Sequence, residues 1–116
     1  MATLSINTKT IEERINVLIE ALIKHYEKQY PGNYGSTDFE TEQGTKYYKI
    51  IHISNANSDR PGRSVHAFVS RQTGAVYKPA SWKSPAKHVR YQLLDDASFQ
   101  DCIQRADWAG GYLYMS

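Results

Sequence analysis

Apolar residues recur at helical spacing near the start of the chain: Ile11, Ile15, Leu18, Ile19, Leu22 and Tyr26 fall on one face. This period predicts an amphipathic helix over residues 10–29. Thr10 and Glu13 have capping-box spacing at its start, and Pro31-Gly32 would stop it. Ile23 lies off the main stripe and widens the apolar surface, which suits either a subunit contact or the core.

Further along, the period changes. Residues 33–44 are polar and turn-like, with a short edge strand around Phe39. Lys46 to Ile53 reads as a strand with Tyr48, Ile50 and His52 on one face, and its imperfect alternation predicts burial on both faces. A turn-rich loop, Asn55 to Gly62, leads to a second strand from Val65 to Ser70. Arg71-Gln-Thr-Gly74 has the chemistry of a hairpin, with Gly74 in the left-handed position, and Ala75 to Ser81 returns as a third strand with Pro79 near its end. Ser84-Pro85 reads as a helix start, a hydroxyl cap followed by proline at the first helical position, with Ala86, Val89 and Leu93 facing inward. Ser98 with Asp101 marks a second short helix carrying Phe99, Cys102 and Ile103. Gly110-Gly111 then breaks the chain before a terminal strand or packed tail from Tyr112 to Met115.

The expected fold class is therefore α+β: a long N-terminal helix packed on a small antiparallel sheet, with short C-terminal helices. At 116 residues the chain fits a single domain over 1–116, divided into the 10–29 helix, antiparallel strands over 45–81 and a binding segment with C-terminal helices over 82–114.

Charge adds the first functional signal. Between Arg60 and Leu94 stand seven Lys or Arg residues and no Asp or Glu, whereas the flanking segments are net acidic. Phe68, Tyr77, Trp82 and Tyr91 are interleaved with those cations. Positive charge and flat rings in one stretch suit a polyanion or a nucleotide; the bland alternative is a solvated basic face with its rings in the core. Cys102 stands alone, so no internal disulfide or paired-Cys metal motif is expected. No apolar run reaches the length of a membrane span, and the N-terminus lacks the regions of a signal peptide. A protein of a reducing compartment, with no membrane partner, is the default expectation.

Catalytic motifs are not evident. His25, His52, His66 and His88 are scattered without metal-ligand spacing, Cys102 reads as a small buried hydrophobe, and Asp95-Asp96 reads as a helix cap rather than a cation site. The expectation is a protein that is not an enzyme and needs no cofactor or metal. Binding centres on Ser81 to Gln92. A helix beginning at Pro85 would offer free backbone N–H groups to a phosphate, with Lys83 and Lys87 beside it and Arg90 one turn further. Trp82 is placed to stack on a base, and Gln92 to read a base edge or a ribose hydroxyl.

The run Val65-His-Ala-Phe-Val-Ser-Arg-Gln-Thr-Gly-Ala-Val-Tyr-Lys-Pro-Ala-Ser-Trp-Lys-Ser-Pro-Ala-Lys-His-Val-Arg90 resembles a widespread family of small phage proteins, the first-described type of Thoeris anti-defence protein. The shared pattern is a strand, a Thr-Gly-type hairpin, the Ser81-Trp-Lys-x-Pro-Ala86 core and a following Arg; Gly111-Tyr112-Leu113 is similar to the family's C-terminus. The resemblance covers roughly residues 45–114. Gln92 departs from it, standing where the pattern has Asn. Such proteins are not enzymes: they sequester the glycocyclic ADP-ribose signal made by a bacterial TIR-domain defence protein. The resemblance thus implies a cyclic ADP-ribose isomer as ligand, cyclic oligonucleotides as further ligands of some members, pockets between protomers of a homo-oligomer (dimer or hexamer), and action in the host bacterial cytoplasm. On this reading Arg71 and Tyr112 complete a pocket with Trp82, Lys83, Lys87, Arg90 and Gln92. Two other classes fit the same residues: a single-stranded nucleic-acid-binding module, and a small structural protein that uses its tyrosines for partners.

Overall fold

The computed structural model describes residues 2–30, 37–56 and 58–114. Pro31-Gly32, the polar stretch 33–36, Asn57 and Met115 lie outside the described residues. Helix α1 spans Ala2–Gln29. It begins eight residues ahead of the expected start, so Thr10 and Glu13 lie inside the helix and form no capping box. Nothing between Ala2 and Lys9 is a helix breaker, and propagation is cheap once a helix is nucleated. Ile11, Ile15, Leu18 and Leu22 are buried, and Ile19 and Ile23 pack against the same core. Core packing thus accounts for Ile23.

The sheet has five strands: β1 (Thr37–Gln43), β2 (Tyr47–Ser54), β3 (Gly62–Ser70), β4 (Ala75–Pro79) and β5 (Pro85–Gln92). Their order in space is their order in sequence, and every pairing is antiparallel. The α+β class, with a long N-terminal helix and an antiparallel sheet, is borne out. At the C-terminal end stand one α-helix, α2 (Asp96–Arg105), and a single 3-10 turn, Gly111–Tyr114.

Segment 85–92 corrects the expectation. Pro85 opens a strand rather than a helix, and Val76 pairs with Tyr91 and Ala75 with Gln92. The apolar positions Val89, Tyr91 and Leu93 also alternate with a period of two, and Val and Tyr are strand formers. Tyr91 and Leu93 are buried while Val89 is 52% exposed, opposite to what an inward-facing Val89 would require. The Ser84 carbonyl accepts hydrogen bonds from the N–H groups of Ala80 and Ser81, which closes a hairpin between β4 and β5. Ser81 Oγ accepts from the N–H groups of Lys83 and Ser84, so Trp82 and Lys83 sit at the hairpin tip.

Two irregularities decide which side chains face where. Ile50 pairs with Ala67 but Ile51 with Val65, which leaves His66 as the extra residue of a bulge in β3. His66 and its neighbour Ala67 are consequently both buried. Ile51 turns to the face away from α1 and is fully buried there, the two-sided burial expected for this strand. Between β3 and β4, Gly74 has a φ of +77°. A Cβ there would lie 3.0 Å from Oε1 of Gln92 and 3.1 Å from Cγ of Leu94.

The helix face of the sheet, with Phe39, Tyr48, Ile50, Ala67, Val69, Val76 and Tyr91, packs on α1, α2 and the terminal turn through Phe99, Cys102, Tyr112 and Leu113. Arg14 fastens α1 to the other end of the chain. It donates to the Leu93 carbonyl (2.6 Å), pairs with Asp96 (2.7 Å) and lies 4.5 Å from the centroid of Phe99. Trp108 makes a second fastening, edge-on to Tyr26 with its indole N–H on Gln29 at 2.6 Å. Among the described residues no helix is long and apolar enough to cross a membrane.

Candidate functional site

The face of the sheet away from α1 collects rings and cations. Strand alternation places Tyr47 and Lys49 of β2 on that face, and pairing brings Lys49 opposite Phe68 of β3, and Phe68 opposite Tyr77 of β4. Tyr47 meets Phe68 edge-on at 5.9 Å and Tyr77 at 6.0 Å. The hairpin tip brings in Trp82, 44% exposed, with the Lys49 ammonium 4.6 Å from its ring centroid. The same ammonium is 5.9 Å from the Phe68 centroid.

Two shallow clefts open on this platform. One, of about 250 Å³, is lined by Glu42, Lys46, Tyr47, Lys49, Phe68 and Lys83, together with the turn from Gln43 to Thr45. The other, of about 300 Å³, is lined by Thr45, Lys46, Tyr47, Ser70, Gln72 and Tyr77. They share Thr45, Lys46 and Tyr47. Their electrostatics are mixed. Three ammonium groups, from Lys46, Lys49 and Lys83, face one carboxylate, Glu42, which Arg63 also engages at 3.4 Å. Register puts Asp38, Glu40 and Glu42 of β1 on this same side, and Arg63 pairs with Glu40 as well.

The expected site residues divide. Trp82 and Lys83 belong to this face. Arg71 serves it from behind: its Nη1 donates to the carbonyls of Gly44 (2.7 Å) and Thr45 (3.2 Å), which fixes the turn that rims the clefts. Lys87 is exposed on β5, and Arg90 is the half-buried extra residue where the β4–β5 register shifts. Neither stands at a helix start, so the helix-terminal phosphate site expected around Pro85 does not exist. Gln92 is occupied locally; its Oε1 accepts from the N–H of Leu94, and its own N–H donates to Ser98 Oγ. Tyr112 lies across the sheet in the helix-side core, 5% exposed and 2.7 Å from Nε2 of His66. Burial raises its phenol pKa well above 10. Trp82 and Tyr112 therefore do not share one pocket within a single copy of the chain.

Tyr47, Lys46 and Lys49 were missed because they precede the basic stretch. Strand pairing carried the signal, since the alternation of β2 laid against β3 puts Lys49 beside Phe68. On the helix side, His52, Ser64, His66 and Trp108 line a third cleft of about 220 Å³. Burial lowers the pKa of His52 and holds that of His66 down at about 4, so both rings are neutral at pH 7. Among the described residues no group of three or more His, Cys, Asp or Glu side chains could hold a metal ion. Cys102 is buried, its thiol pKa pushed up to about 12 by that burial, as suits a small core residue. Asp95 occupies the N-cap of α2 without a side-chain cap bond, and Asp96 is the ion-pair partner of Arg14.

No curated protein and no solved structure matches the chain. A family model matches residues 3–115, nearly the whole chain, and the protein accordingly belongs to DUF7717, a family of unknown function.

Proposed function

We propose that this protein binds a nucleotide without transforming it, and that the ligand is a glycocyclic ADP-ribose signal kept from its effector. The observation that carries the reading is the cluster of Tyr47, Phe68, Tyr77 and Trp82 with Lys46, Lys49 and Lys83 on one face. Such a ligand presents an adenine, two riboses and a pyrophosphate. Rings suit the base, ammonium groups the pyrophosphate, and the Glu42 carboxylate a ribose diol. Two clefts meeting at Tyr47 offer a two-lobed ligand two places to rest. The identity of the ligand comes from the resemblance of residues 45–114 to Thoeris anti-defence proteins, and with it come the homo-oligomer and the host bacterial cytoplasm. Sequestration asks for affinity alone, and each group invoked here is a binding group.

The openness of this face favours a second reading, a platform for single-stranded nucleic acid. Asp38, Glu40 and Glu42 weigh against it, because a strand crossing the sheet would run past a row of like charge. A compact ligand avoids that row.

The test is capture. Purified protein is incubated with the TIR-derived signal, washed, denatured and examined by mass spectrometry. Intact ligand released on heating supports sequestration; absence of ligand, with binding to a single-stranded oligonucleotide that weakens steeply with salt, replaces it with the nucleic-acid reading.

A further inference from the structure

Lys49 occupies the surface that a ligand's ring would need. Its ammonium lies 4.6 Å from the Trp82 centroid and 5.9 Å from that of Phe68. The nearest carboxylate in the sheet register is Glu42, directly opposite Lys49 on β1, and Arg63 already engages it. Among the described residues Lys49 forms no ion pair, and its positive charge rests on ring faces.

We propose that Lys49 determines the specificity of this face for phosphorylated ligands: it covers the Trp82 ring in the free protein and leaves it for a phosphate. The proposal rests on the nucleotide-binding reading. A neutral base must displace the ammonium and forfeit the cation–ring attraction while gaining a stack, so the two effects offset one another. A ligand with phosphate beside its base instead gives the ammonium a stronger, charge-assisted partner. The four-carbon stem of lysine allows that exchange without movement of the strand. Lys83, at the same cleft, attracts phosphate without blocking a ring, so the two lysines should separate on substitution.

Calorimetric titration with adenosine and with ADP tests this on wild type, Lys49→Thr and Lys83→Thr. Threonine keeps strand propensity and removes the ammonium. In Lys49→Thr, adenosine should bind severalfold tighter and ADP about tenfold weaker, the scale of one lost charge-assisted contact. Lys83→Thr should weaken ADP and leave adenosine unchanged. A second readout needs no ligand: the Lys49 ε-methylene protons should be shifted upfield by the Trp82 ring current in the free protein, and in Trp82→Ala the shift should shrink to what the more distant Phe68 ring leaves. If Lys49→Thr alters adenosine and ADP affinity in the same direction, or the upfield shift is absent, the role assigned to Lys49 is overturned while nucleotide binding stands. If neither compound binds any of the three proteins, the nucleotide reading fails and this proposal fails with it.

Discussion

Tyr112 and His66 share a hydrogen bond of 2.7 Å, Oη to Nε2, that ties the terminal turn to the bulged residue of β3. His66 also meets Phe39 edge-on at 5.3 Å, so one imidazole connects the edge strand, the third strand and the end of the chain.

The first prediction concerns acid. Burial is the main cause that lowers the His66 pKa to about 4; the neighbouring His52 adds to it and Asp107 opposes it. In the unfolded chain the ring takes its proton near pH 6.5. This contribution to stability is thus complete above that pH and is lost as pH falls from 6.5 towards 4, by roughly 3 kcal/mol in total. Urea denaturation at pH 7 and pH 5 should reveal a larger loss for wild type than for His66→Asn. Equal losses would assign the acid sensitivity to other groups, including His52, whose shift has the same sign.

Gly74→Ala should destabilise the fold by about 2 kcal/mol from the left-handed conformation alone, with the close approach to Gln92 and Leu94 adding to it. Asn tolerates that conformation better than Ala but also carries a Cβ. Gly74→Asn should therefore recover only part of the loss, read as the urea midpoint. Full recovery would mean that the neighbours yield freely.

Trp82→Ala should lower stability by no more than about 1 kcal/mol, since the ring is exposed at the hairpin tip and loses chiefly its contact with Lys49. Ligand affinity should fall about tenfold to a hundredfold, the worth of one stacked base. A folded variant with unchanged affinity would move the base to Tyr47 or Tyr77.

Arg71→Ala should lower both stability and capture, because the guanidinium holds the Gly44 and Thr45 carbonyls of the cleft-forming turn. We expect about 1–2 kcal/mol in thermal or urea unfolding. Lys24→Glu, on an exposed position of α1, is the charge control and should capture as wild type does. Loss of capture without loss of stability would return Arg71 to direct ligand contact.

How much of this was legible in the sequence depended on how local the deciding interaction was. The helical stripe from Ile11 to Leu22 and the left-handed Gly74 are set within a few residues, and both were read correctly. Segment 85–92 was not, because Ala86, Val89 and Leu93 satisfy a helical period while Val89, Tyr91 and Leu93 satisfy a strand period. Pairing with β4 decided between them, an interaction the local pattern does not contain. The candidate site follows the same rule. Trp82 and Lys83 stood out by composition, whereas Lys49 joins them only through its pairing with Phe68. Tyr112 could not be separated from Trp82 without knowing which face of the sheet each occupies.

Strand order that repeats chain order also has a kinetic consequence. Each strand of the sheet pairs with the one made just before it, so the meander can zip up from short loop closures as the chain emerges. Helix α1 precedes the sheet in the chain; Tyr48 of β2 bonds its Glu12, yet three further groups that fasten it, the Leu93 carbonyl, Asp96 and Trp108, follow the last strand. Its apolar stripe is therefore only partly covered, by the sheet face that includes Tyr48 and Ile50, until Leu93, Phe99, Cys102 and Leu113 join the same core. A ribosome-stalled chain ending before Leu93 should accordingly bind chaperones through the uncovered part of that stripe, and one extended past Leu113 should bind them less.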